Sequence, residues 1–339
     1  MRRVLAVRQD NNGDVTLIGP ALRALAEGAD VALMCGPSGE GAARLLPGVT
    51  TVLVARADWI EGNPQPVDAR DIERTIATVA GLAVDEAFIF TSFHQSPLPT
   101  ALLLRLAGIA QIAAISVDYP GSLLDTRVRV SDDLHEVERA LALVASRNYR
   151  LAVDDGGGLS YDALPGRRPD LPSGYIAVQP GASVAARAWA PAKMRALVAL
   201  LTERGHEVAI FGSDRERELA RFVAGDSRAS VMAGRTTYAE FAAAVRDARA
   251  LVVGNTSGIH VAGAVGTPVV SIFPPTIPAR RFLPWQVPYV VLGDQDIACA
   301  GCRARVCPVP GQPCTGIVEP LDVARALESL GVLPLARVP

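Results

Sequence analysis

"LVVGNTSGIHVAGAVGTPVVSIFPPT", residues 251–276, decides the fold. An apolar run with no polar alternation opens it, and such a run is a strand buried on both faces. Gly-Asn-Thr-Ser-Gly follows, then an apolar helical pattern from Ile259 to Val265, then a second apolar run, TPVVSIF. Strand, helix and strand in this order make a parallel crossover unit. The loop between strand and helix is built of small residues whose amides and hydroxyls stay accessible. The positive end of the helix dipole faces it, so an anion belongs there. Asn255, Thr256, Ser257, Gly258 and His260 are the candidate contacts. His260, in the first helical turn, either donates to a phosphate or sugar oxygen or is a half-buried histidine satisfied by its surroundings.

The same alternation runs outward in both directions. In the second half, YIAVQPG, HEVAIFG and a short VMAG read as strands, separated by helices at about 192–204 and 215–223, with a further helix at 238–248. In the first half VLAV (4–7), VALM (31–34), VTTVLV (49–54), EAFIF (86–90) and IAAIS (112–116) read as strands. LIGPALRALAEG, residues 69–82 and LPTALLLRLAG read as helices between them. Residues 153–174, rich in Gly, Pro and Asp, show no period and read as a linker. The chain is therefore expected to be α/β, with two doubly wound domains at 1–165 and 172–320 and a closing helix and tail at 321–339. Two such domains would face a central cleft at the carboxyl ends of their strands, where open α/β sheets bind ligands.

A length of 339 residues suits two domains, and with 50% apolar residues burial is not limiting. The net charge of -2, with both signs interspersed, argues against a nucleic-acid partner. No apolar run approaches the ~18 residues of a membrane span, and the N-terminus lacks the pattern of a secretory signal. A soluble, cytoplasmic protein is the expectation. Cys299, Cys302, Cys307 and Cys314 crowd one segment, unlike a secreted disulfide framework. Four close thiols could hold a structural zinc or iron, or could be reduced structural cysteines or local disulfides. Four thiolates leave no open position, so a catalytic metal is not expected.

Two further strand-end loops carry chemistry. "RQDNNGDVTLIGPALRAL", residues 8–25, lacks the GxGxxG of a dinucleotide site. Gly13 is expected to supply a backbone conformation closed to other residues, placing Asp14 at or just before a helix start. There its carboxylate is either a cap or a general base. "VQPGASVAARAWAPAKM", residues 178–194, presents Gly181 and Ser183 with Arg187 and Lys193 close behind. It suits a diphosphate, or it is a plain strand-to-helix connection with surface cations. Gly212, Ser213 and Asp214 repeat the pattern one unit later.

Taken together, these motifs resemble the heptosyltransferase family, the family 9 glycosyltransferases of GT-B architecture. RQDNNGDV, HEVERALALV, PGAS followed by Arg187 and Trp189, FGSDRERELA, NTSGIHVAGAVGTPVVSIFPPT and the cysteine-bearing tail occur in the family's order, over nearly the whole chain. The resemblance implies that Gly13 and Asp14 match its Gly-Asp pair, with Asp14 as general base. It implies that Arg187 stands where the family has a phosphate-contacting lysine, that Glu216 meets the nucleoside ribose, and that Thr236 joins the donor contacts. It implies an inverting transfer of a heptose-like sugar from a nucleotide diphosphate sugar, ADP-heptose-like, to a hydroxyl on a glycan, glycolipid or small-molecule acceptor, with no cofactor needed for catalysis. Where many members read Asp-Thr-Gly-Pro-Met-His, this chain reads Asn-Thr-Ser-Gly-Ile-His. A sugar-nucleotide epimerase of the same architecture and a non-catalytic binding module are the alternative readings.

Overall fold

The computed structural model describes residues 2–168 and 170–333. The tail expected after the closing helix, at 334–339, lies outside them. The chain divides into two compact units, residues 1–162 and 163–339.

The first unit is a parallel sheet of β1 (Arg2–Arg8), β2 (Ala29–Cys35), β3 (Val49–Val54), β4 (Glu86–Ile89), β5 (Gln111–Ile115) and β6 (Thr126–Val128), in the order β3-β2-β1-β4-β5-β6. Its central strands are apolar on both faces because helices cover both faces. Leu5, Val7, Ile89, Ile112 and Ala114 are almost wholly buried. Each such side chain removed from water contributes about 1.5–3 kcal/mol, which is what the continuous apolar runs encode. The sixth strand is not among the expected ones. It is Thr-Arg-Val, three half-buried residues at the sheet edge, and carries no apolar run.

The second unit repeats the architecture with β7 (Ile176–Gln179), β8 (Val208–Ile210), β9 (Ser230–Val231), β10 (Ala250–Val253), β11 (Val269–Ile272) and β12 (Tyr289–Leu292), ordered β12-β11-β10-β7-β8-β9. Counted from its own first strand, this is the same 3-2-1-4-5-6 sequence, the doubly wound Rossmann order. The strand β12 also goes beyond expectation. It follows β11 through a proline-rich loop containing one short 3-10 turn, Ala279–Arg281, instead of a helix, so the alternating pattern gives no cue to it. The closing helix, Pro320–Ser329, buries Val323 and Leu327 in this unit's core beside Leu197, Val198 and Ile272.

The order reverses between β1 and β4 in the first unit and between β7 and β10 in the second. At such a switch point the two connections leave in opposite directions and open a crevice at the strands' carboxyl ends. The chemistry-bearing loops found in the sequence lie at these two places. Among the described residues no helix is long and apolar enough to cross a membrane.

Candidate functional site

In the second unit, β7 ends at Gln179 and β10 runs into Gly254 and Asn255, side by side across the switch point. The Gln179 carboxamide oxygen accepts from the Thr256 hydroxyl at 3.4 Å. Ser257 precedes the helix Gly258–Val265, which Gly266 ends in the left-handed conformation, φ 79°. A Cβ on Gly258 would stand 2.2 Å from the Gln179 oxygen, and one on Gly254 would stand 2.7 Å from the Arg187 carbonyl. Only glycine lets the three segments close on one another. The loop carrying Arg187, a 3-10 turn at Ala185–Arg187, is thus laid directly against the Asn255–Ser257 loop.

Asn255 is 7% exposed, yet its Nδ2 has no hydrogen-bond partner. The Thr276 hydroxyl, in the turn after β11, is in the same condition. A buried donor without an acceptor costs about 1–3 kcal/mol. His260 is 5% exposed, its ring 6.4 Å from that of Phe282. The loop expected from the sequence is therefore assembled, and Gln179 and Thr276 join it.

Gly181 and Glu216 meet one strand further along. A Cβ on Gly181 would fall 1.8 Å from the Glu216 carboxylate, so the carboxylate rests on the glycine backbone at the end of β7. Its other oxygen accepts from the Ser213 amide and hydroxyl, both at 2.7 Å. Ser183 is exposed, and Thr236 is half-buried just before Thr237, the cap of the helix Tyr238–Asp247. Lys193 goes elsewhere. Its ammonium donates to the carbonyls of Gly316 (2.5 Å) and Val318 (3.0 Å) and pairs with Glu319 (2.6 Å). A lysine so engaged fastens the start of the closing helix to Pro191–Glu203.

In the first unit, Gly13 is not a left-handed residue as expected. The helix starts earlier, at Asn12, capped by the Asn11 side chain on the Gly13 amide, and Asp14 lies in its first turn rather than at the cap. With the cap supplied by Asn11, the Asp14 carboxylate is left for other partners. Arg8, at the end of β1 and 3% exposed in its side chain, donates from Nη2 to Asp14 at 2.9 Å and to the Ser92 hydroxyl at 2.9 Å. Its Nε faces Asp10 at 2.8 Å. Gln95 donates to the other Asp10 oxygen at 2.6 Å. Burial works against the Arg8 charge, but Asp10, Asp14 and Glu136 outweigh it and hold it firmly protonated. Burial pushes the Asp10 carboxyl above its usual range against the pull of Arg8, and the neighbouring Asp14 adds to the rise. Arg8, Asp10, Ser92 and Gln95 were not among the sequence candidates. The only signal for them was their position at the two strands flanking the switch point. Ser92 and Gln95 also line a cavity of about 280 Å³, with Ser116, Asp118 and Arg129 on its other walls. Asp14 keeps 16% side-chain exposure and meets this cavity's wall through the Ser92 hydroxyl, at 3.5 Å.

Among the described residues, no group of three or more His, Cys, Asp or Glu side chains is placed to hold a metal ion. Cys299 and Cys302 are exposed, Cys307 is intermediate and Cys314 is buried. Burial, then the neighbouring Cys307, pushes the Cys314 thiol up. The backbone here is committed to bracing the turn after β11 and the Ala185–Arg187 turn. The Gly301 and Arg303 amides donate to Pro275 and Thr276, the Arg305 carbonyl accepts from Ala186, and Gln312 Nε2 donates to the carbonyls of Ala186 and Ala188.

Glycosyltransferase family 9 (heptosyltransferase) is the family whose model matches this chain, over residues 94–312. Lipopolysaccharide heptosyltransferase 1 of Pseudomonas aeruginosa is 32% identical over 222 residues, 63% of this chain and 61% of that protein. The alignment thus spans somewhat less than two thirds of that relative's length. Among solved structures, the family 9 glycosyl transferase of Veillonella parvula superposes with a TM-score of 0.77 at 15% identity, covering 97% of each chain. The ADP-heptose LPS heptosyltransferase II of E. coli gives 0.73 at 19% identity, covering 97% of this chain and 98% of its own. These two establish likeness of fold. The family match, which takes in the second-unit loops and more than half of the chain, settles membership: the chain belongs to glycosyltransferase family 9, the heptosyltransferase family.

Proposed function

We propose that this protein is an inverting glycosyltransferase that moves a heptose-like sugar from an ADP-linked donor to a hydroxyl acceptor. The observation that carries the reading is the pair of equivalent switch points. One presents a partly exposed carboxylate beside a polar cavity, and the other presents an unpartnered amide, a helix N-terminus and a histidine. The names of the relatives, which include ADP-heptose and lipopolysaccharide, support the donor and acceptor classes.

In this reaction the acceptor hydroxyl gives its proton to Asp14 as its oxygen bonds to the anomeric carbon. The bond from that carbon to the diphosphate breaks on the opposite face, so configuration inverts. Negative charge grows on the departing nucleoside diphosphate, and the N-terminus of Gly258–Val265, Arg187 and His260 meet it with fixed positive potential. Asn255 Nδ2 donates to a donor oxygen, and Glu216 accepts from the ribose. Neither step calls for a metal. The cavity beside Asp14, walled by serines, Asp118 and Arg129, suits a polyhydroxylated acceptor.

Calorimetric titration with ADP, UDP and GDP tests the donor side. ADP is expected to bind more tightly than the other two. Equal or absent binding of all three would overturn the reading.

A further inference from the structure

We propose that Asp10 is a positioning residue for Asp14, engaging the shared Arg8 guanidinium so that Asp14 is never locked into a full ion pair and stays able to take a proton. The inference rests on Asp14 being the general base.

A buried arginine and a lone carboxylate ordinarily pair through two parallel N–H···O bonds, which would hold the carboxylate ionised and poorly basic. Here that arrangement is divided. Arg8 Nε lies 2.8 Å from an Asp10 oxygen as an ion pair without hydrogen-bond geometry, and Asp14 receives Nη2 alone, at 2.9 Å, a donor it also shares with Ser92. Two carboxylates therefore compete for one cation in a site where Arg8 is 3% and Asp10 9% exposed. Asp10 is itself fixed, because Gln95 donates to its second oxygen at 2.6 Å while accepting from the Ser92 amide at 3.0 Å.

The surrounding charges are few. His94, from the segment after β4, acts on Asp10, and Glu136, from the helix Glu136–Ala145, acts on Arg8 while pairing with Arg139. The three central groups carry a net charge of minus one between them. A proton arriving at Asp14 is accommodated because Arg8 retains Asp10 as its counter-ion. The rise in the Asp10 proton affinity, caused in part by Asp14, is what two carboxylates sharing a site produce.

The test is Asp10→Asn, which keeps an oxygen for Arg8 but removes the competing charge. Transfer from ADP-heptose to heptose-free lipopolysaccharide is followed against pH. The acid limb of kcat/KM is expected to move to lower pH, with the plateau falling roughly three- to tenfold and the donor KM unchanged. An unmoved limb would overturn the inference. A second readout needs no turnover: the Asp10 carboxyl, followed by carbon NMR, is expected to titrate above the usual carboxylate range and to fall in Asp14→Asn. If Asp10→Asn does not fold, this titration decides alone, and an Asp10 midpoint indifferent to Asp14→Asn overturns the proposal. Coupled titration in a protein with no transfer activity would instead sink the glycosyltransferase reading and with it a catalytic use for the coupling. The two failures are thus distinguishable.

Discussion

Asp14 became a candidate through its place after the first strand and through the resemblance, and nothing in the sequence pointed to its surroundings. A cap or a base were the open readings, and Asn11 takes the cap. Its partners come from 6 and 78 positions away in the chain, Arg8 and Ser92, and no local pattern links residues on β1 to those after β4. The same holds for Gln179, whose carboxamide meets Thr256 across 77 positions. That contact gives a residue-level prediction. Gly258→Ala places a methyl group 2.2 Å from the Gln179 oxygen, and the backbone has no slack because Gly254 is already against Arg187. ADP affinity is expected to fall at least tenfold, about 1.4 kcal/mol, with the double variant Gly258→Ala/Gln179→Ala recovering part of it. Isothermal titration measures both, and an unchanged affinity in the single variant would show that the loop can move aside.

Strands and helices with strong periods were readable almost to the residue: VTTVLV is β3, and the helix expected at 69–82 spans Ala69–Gly81. The two strands that escaped, β6 and β12, are edge strands, one too short and polar to show and the other reached without a crossover helix. Lys193 shows a limit of a different kind. Its charge beside a small-residue loop suggested a phosphate contact, but side-chain reach carries the ammonium to the 316–319 segment. Lys193→Ala leaves two carbonyls without their donor and is expected to cost about 1–3 kcal/mol of stability, read from urea unfolding. ADP affinity should stay within about twofold, since nothing of the donor loop is removed. A large loss of ADP affinity with unchanged unfolding would restore Lys193 to the diphosphate.

At the scale of the whole molecule the plan is one Rossmann-type sheet used twice, with identical strand order in each unit. The α/β class followed from the alternation of apolar runs and the GT-B resemblance from the order of the loop motifs, whereas the strand order rests on packing between distant segments and appears only in three dimensions. That order explains why the functional loops sit where they do: the chain reverses direction across the sheet between β1 and β4 and between β7 and β10, and only there does a crevice open over the strand ends. The segment that carries the cysteines holds the turn after β11 and the Ala185–Arg187 turn in place by backbone and Gln312 hydrogen bonds. The central claim is that this doubled sheet supplies a base on one unit and a leaving-group site on the other. Its most direct test is the rate of heptose transfer from saturating ADP-heptose to heptose-free lipopolysaccharide, compared between the native chain and Asp14→Asn. The account predicts a fall of about 100–10,000-fold with ADP affinity unchanged, and a variant that transfers within a few-fold of the native rate would contradict it.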